Sequence, residues 1–127
     1  MVRVVLDASA VLALLLGEPG ADVVKARLEG AFLSSVNYSE VLARTATLCG
    51  SLEEAKLRVD RHDWTILPFD AEQATVVASL LPETKRFGIS LADRACLALG
   101  LMHGCPVLTA DRIWADLDIG VTVELIR

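Results

Sequence analysis

Apolar and polar positions along the chain fall into short blocks of two kinds. Residues 2–6 are a Val-rich apolar run, and residues 8–16 are apolar in nearly every direction around a helix, so a buried strand should lead into a buried helix. Residues 17–20, Gly-Glu-Pro-Gly, interrupt this. Residues 21–28 then show a two-faced helical pattern with Asp22, Lys25, Arg27 and Glu29 left for solvent. A second strand is expected over 31–34 and helices over 37–48 and 51–61, the latter opened by Ser51 with Glu54 as a capping box. Residues 64–67 read as a third strand closed by Pro68. Asp70 with Gln73 opens a helix to about Leu81, and 82–88 read as a polar connection. Residues 90–103 form a long, mostly apolar helix stopped by Gly104. A strand over 106–108, a short helix over 112–117 and a last strand over 121–126 follow. Strands alternating with helices predict an α/β fold with three layers: a parallel sheet of about five short strands with helices on both faces.

At 127 residues the chain is one domain's worth, and no repeat, linker or low-complexity segment divides it, so 1–127 is read as a single domain. Hydrophobic residues make up 54% and charged residues 23%, which gives ample material for a core. The mean hydropathy of +0.50 is high for a small domain. Its apolar stretches are nevertheless far short of the ~18 to 20 residues a membrane span needs, so an apolar interface with a partner is expected instead. The net charge of −5 argues against holding nucleic acid by bulk electrostatics; any such chemistry must use a local site or a bound cation. Cys49, Cys96 and Cys105 form no CxxC pair and read as small core residues of a reduced, cytoplasmic protein, and no signal peptide is visible.

In a parallel sheet the strand ends and the starts of the returning helices share one edge, where ligands bind. Four carboxylates should meet there: Asp7 after the first strand, Glu40 in the first turn of the helix after the second, Asp93 in the first turn of the helix over 90–103, and Asp111 just after the fourth strand. Singly, each has a structural explanation. Asn37-Tyr38-Ser39-Glu40 and Ser90-Leu91-Ala92-Asp93 are capping-box-like, and Asp7 and Asp111 suit N-caps. Together they would repel one another without cations, and oxygen ligands select hard divalent ions, Mg²⁺ or Mn²⁺. Such a site makes bound water acidic for in-line attack on a phosphodiester. No Ser-His-Asp, Cys-His or phosphate-loop arrangement competes, and His62 and His103 read as surface or cap residues. Arg44, Arg94 and Arg112 stand near the acids in sequence and are read either as orienting carboxylates or contacting phosphate, or as surface ion pairs. Trp64 reads as core, and Trp114 is open between core and base stacking.

Val4-Val5-Leu6-Asp7-Ala8-Ser9, Ser39-Glu40-Val41-Leu42, Leu91-Ala92-Asp93 before an apolar helix, and Leu108-Thr109-Ala110-Asp111 resemble the four acidic motifs of the PIN domain, in their order. The likeness spans essentially the whole chain and is similar in length and closing strand to the VapC-type toxins of toxin–antitoxin pairs. It implies a Mg²⁺-dependent endoribonuclease acting on RNA, held inactive by a cognate antitoxin protein and commonly a homodimer. By position, Asp7, Glu40, Asp93 and Asp111 would be the catalytic and metal-binding tetrad, with Ser9 and Thr109 as supporting hydroxyls and Asp116 as the alternative to Asp111. Two other functions compete. A non-catalytic PIN-like interaction module should have lost one of the acids, and a metal-dependent phosphatase should carry an Asp-x-Asp pair that Asp7-Ala8-Ser9 lacks.

Overall fold

The computed structural model of the chain describes residues 2–127. Its centre is β1 (Val5–Leu6), whose pleat sends Val5 to one side of the sheet and Val4 and Leu6 to the other. On one flank lie β2 (Phe32–Ser34) and then β3 (Thr65–Leu67); on the other lie β4 (Val107–Thr109) and then β5 (Val123–Leu125). All four pairings are parallel, with Val5 opposite Phe32 and Val107, and Leu6 opposite Leu33 and Leu108. This is the expected α/β architecture, and parallel strands require the helical crossovers that supply its outer layers.

One face of the sheet is covered by α1 (Ala8–Leu16), α2 (Ala21–Ala26) and α4 (Leu52–Asp60), with Val11, Val24 and Val59 packed against Leu6, Leu33 and Leu108. The other face carries α5 (Ala71–Ser79) and α7 (Leu91–His103), whose Val77 and unbroken buried run Ala95–Leu99 pack against Val5 and Val107. Between the faces, α3 (Ser35–Cys49) contributes Val41 to the first cluster and Val36 to the second. Trp114, on a 3-10 turn over Arg112–Asp116, is fully buried, and Trp64 nearly so; both are core and neither is free to stack on a base. Among the described residues no helix is long and apolar enough to cross a membrane.

Two glycines are fixed by close approach. A Cβ on Gly100 would sit 2.6 Å from Val121 Cγ2 and 2.8 Å from Val107 Cγ1, so this position lets α7 lie directly on β4 and the segment leading to β5. Gly20, with φ of +97°, would put a Cβ 2.6 Å from the Ile126 carbonyl oxygen, and so seats the end of the chain on the α1–α2 turn.

Several local expectations change. The paired strands are two or three residues long, flanked by the buried Val4 and Ile126, whose backbones still bond to neighbouring strands: Val4 O accepts from Phe32 N and Ile126 N donates to Thr109 O. The supposed connection over 82–88 is helical: α6 (Leu81–Thr84) tolerates Pro82 in its first turn, where a missing N–H costs nothing, and a 3-10 turn, Lys85–Phe87, follows. The helix expected from Asn37 starts at Ser35, capped by the Ser34 hydroxyl, so the strand passes straight into it. At α4 only half a capping box forms: Ser51 Oγ accepts from Glu54 N, while the Glu54 carboxylate accepts from Arg58 Nε. Of the cysteines, Cys96 is buried, but Cys49 and Cys105 are half-exposed.

Candidate active site

Asp7 ends β1 and caps α1: its Oδ1 accepts from Ala10 N at 2.8 Å. Two hydroxyls complete its surroundings. Thr109 Oγ1 donates to Oδ2 at 2.6 Å, and Ser9 Oγ lies 2.7 and 2.9 Å from the two carboxylate oxygens. The carboxyl is only 4% exposed, and burial pushes its pKa from 3.8 up to about 6. The three hydrogen-bond donors pull the other way and do not offset the loss of water, and the charge of Asp93 raises it further.

The same hydroxyls bring in the fourth acid. Thr109 Oγ1 accepts from Asp111 N at 3.0 Å, and Ser9 Oγ accepts from Ala110 N at 2.9 Å, so the turn after β4 is tied to the end of β1. The Asp111 carboxylate is exposed and accepts from Ile113 N, capping the 3-10 turn. Asp116 is exposed at the end of that turn.

Asp93 forms a full capping box with Ser90 at the start of α7, each side chain accepting from the other's backbone N–H at 3.1 Å. Glu40 lies in the second turn of α3, one turn later than expected, because the helix begins at Ser35. Its exposed carboxylate accepts from Asn37 Nδ2 at 3.0 Å, and the same amide nitrogen donates to Ala92 O at 3.1 Å. Beneath them lies Cys96, one turn after Asp93. Burial pushes its thiol pKa far up, and the charges of Asp7, Asp93 and Glu40 add to that rise.

The basic residues do not join this cluster. Arg94 Nη1 donates to Val77 O, beneath the end of α5, and among the described residues neither it nor Arg44 or Arg112 forms an ion pair. His62 rests against the Trp64 ring and His103 against Phe32, each at a helix end. Asn37 and Cys96 were missed as parts of the site. The i, i+3 spacing of Asn37 and Glu40 was a usable signal, obscured by taking Asn37 for a cap.

The donor set suits a hard cation: it is made of oxygens, and Asp7 is a buried carboxyl burdened by a neighbouring negative charge, with no cationic partner among the described residues. Among the described residues no three His, Cys, Asp or Glu side chains stand close enough to enclose a metal ion as they lie. Asp7 and Asp93 are anchored by helix caps and Glu40 is held by Asn37, whereas Asp111 is exposed and caps the 3-10 turn.

Residues 4–120 match the family model described as PIN domain. A comparison with curated protein sequences gave no match. Among solved structures, a toxin–antitoxin complex from Klebsiella pneumoniae is similar, with a TM-score of 0.79 at 18% identity over 98% of each chain. DNA-bound VapBC from Salmonella typhimurium gives 0.76 at 16% identity over 100% of each chain. VapC20 from Mycobacterium tuberculosis, described as a sarcin–ricin loop cleaving toxin, gives 0.71 at 15% identity over 94% of this chain and 99% of that one. At these identities the likeness establishes the fold.

Proposed function

Because this chain belongs to the PIN-domain family, we propose that it is a metal-dependent endoribonuclease acting as the toxin of a toxin–antitoxin pair. The observation that carries the proposal is Asp7: a carboxyl 4% exposed at the end of the central strand, with the charge of Asp93 beside it and, among the described residues, no basic side chain paired with either. Its structural neighbours described as toxin–antitoxin complexes support the biological half of the proposal.

Asp7, Glu40, Asp93 and Asp111 would hold Mg²⁺, with Mn²⁺ as a substitute. A bound divalent ion supplies charge that acidifies water and stabilises the phosphodiester transition state. The chain's own groups do the rest. Ser9 and Thr109 keep the Asp7 carboxylate in one orientation, and the caps at α1 and α7 keep Asp7 and Asp93 on rigid helix starts. Incubation of the purified protein with RNA is expected to give cleavage that chelation abolishes and that Mg²⁺ or Mn²⁺ restores. Cleavage persisting in excess chelator would overturn the metal-dependent mechanism.

The proposed partners are an antitoxin and a second copy of the chain. Leu16, Leu48, Leu52 and Leu57 are 42%, 54%, 61% and 66% exposed; the first lies on α1, the second on α3 and the last two on α4. The apolar surplus is narrower than the sequence suggests, since Val11 and Ala13 are fully buried and Leu16 is the residue of α1 left out. An amphipathic antitoxin helix would cover these leucines and present Arg or Lys to the acids. Activity should then fall when the product of the adjacent gene is added, and the free protein should sediment as an oligomer. A clean monomer with no binding to that product would contradict both.

A further inference from the structure

Asn37 is 1% exposed, in a helix whose Ser34 hydroxyl already provides the cap. Its Nδ2 donates to Glu40 Oε1 at 3.0 Å and to Ala92 O at 3.1 Å, joining α3 to the residue before Asp93. Its Oδ1 is buried and has no hydrogen-bond partner.

A purely structural role fits these facts poorly. Ala92 O sits in the first turn of α7, where helix geometry offers it the N–H four residues on, so the bond from Asn37 is an addition rather than a rescue. An orphaned buried carbonyl oxygen is costly, and an apolar side chain of the same shape would remove that cost. The fold therefore keeps an amide at a buried position although one of its polar atoms is unpaired. What the amide does, and leucine cannot, is hold a carboxylate. Among the described residues the bond from Asn37 is the one that the Glu40 carboxylate receives. A free glutamate side chain must surrender its rotamer freedom when it engages a ligand, and an amide fixed at both hydrogens removes part of that loss beforehand.

We propose that Asn37 is a positioning residue that pre-orients Glu40 against the Asp93 helix and so sets the affinity of the acidic cluster for a divalent cation. This rests on the reading of the cluster as a metal site. Asn37 acts through Glu40 and is not itself a ligand.

The test is Mn²⁺ binding to the full chain, followed by the paramagnetic resonance signal of free Mn²⁺, together with thermal melting of the metal-free protein. Asn37→Leu is expected to weaken Mn²⁺ binding about tenfold while the melting temperature holds or rises. In a Glu40→Gln background the same substitution should change Mn²⁺ affinity less than twofold, because its route of action is gone. Should Asn37→Leu fail to fold, Asn37→Ala is measured in both backgrounds with the same expectation for Mn²⁺. Equal affinity in wild type and Asn37→Leu overturns the proposal, as does an equal loss in the presence and absence of the Glu40 carboxylate. Wild-type protein that binds no Mn²⁺ overturns the metal-site reading itself, which is a separate result.

Discussion

Asp7→Asn is expected to raise the melting temperature of the metal-free protein at pH 7.5 and, in the same molecule, to abolish RNA cleavage. The carboxyl's pKa is about 6 in the folded chain against 3.8 ordinarily, so the folded state binds the proton more tightly than the unfolded state. That preference favours folding fully below pH 3.8 and is lost as the pH rises through about 6. Above that, folding carries the cost of a buried charge, about 3 kcal/mol from the gap between the two values. The amide of Asn removes the charge and keeps an oxygen for Ala10 N, while the Thr109 hydroxyl can turn to accept from the new NH₂. A gain of roughly 4–10 °C is expected. Mg²⁺ should stabilise the wild type by mass action and leave Asp7→Asn unmoved. Losing the cation's stabilisation of the transition state, several kcal/mol, lowers the rate by about a thousandfold or more. Calorimetry beside an RNA assay checks both halves; a variant that melts lower and still cleaves would remove Asp7 from the role assigned to it.

Asp93→Asn should lower cleavage by a similar factor without any gain in stability. Asp93 is partly exposed, and its Oδ2 accepts from Ser90 N, a bond the Asn carbonyl can keep. The lost interaction with the helix dipole costs about 0.5 kcal/mol, a shift of roughly 2 °C downward. The two variants together separate chemistry from folding: both inactive, one more stable and one slightly less. Full RNase activity in correctly folded Asp93→Asn protein would sink the mechanism.

How much of this could be read from the residues depended on how far apart the interacting partners lie. The Ser90 and Asp93 box joins residues three apart and was visible as a motif, as were the Asp7 and Asp70 caps, which complete themselves within one helical turn. The parallel sheet followed from the alternation of strands and helices, but its order, β3-β2-β1-β4-β5, did not. Strand lengths did not either, because composition marks buried extended residues such as Val4 and Ile126 without saying where regular pairing stops. Pro82 read as a break and stands in a first helical turn. Asn37 was misplaced because its second partner, Ala92, is 55 positions away, and local pattern says nothing about a bond that only the tertiary fold creates. The link from Thr109 to Asp7 spans 102 positions, and only its hydroxyl could be guessed.

That last span has a consequence for how the molecule comes into being. In the finished sheet β1 lies between β2 and β4, and its bonds to β4 join the start of the chain to a strand made near its end. While the ribosome is still extending the chain, Val5 and Leu6 can pair with β2 but have an open flank, and closing it is a long-range step of the kind that slows folding. A nascent chain that has emerged only as far as α7 already holds Asp7, Glu40 and Asp93. It lacks the Thr109 hydroxyl that orients Asp7 and the strand that carries Asp111. On the proposed reading, the acidic cluster is therefore complete only once β4 has been made and has docked against β1.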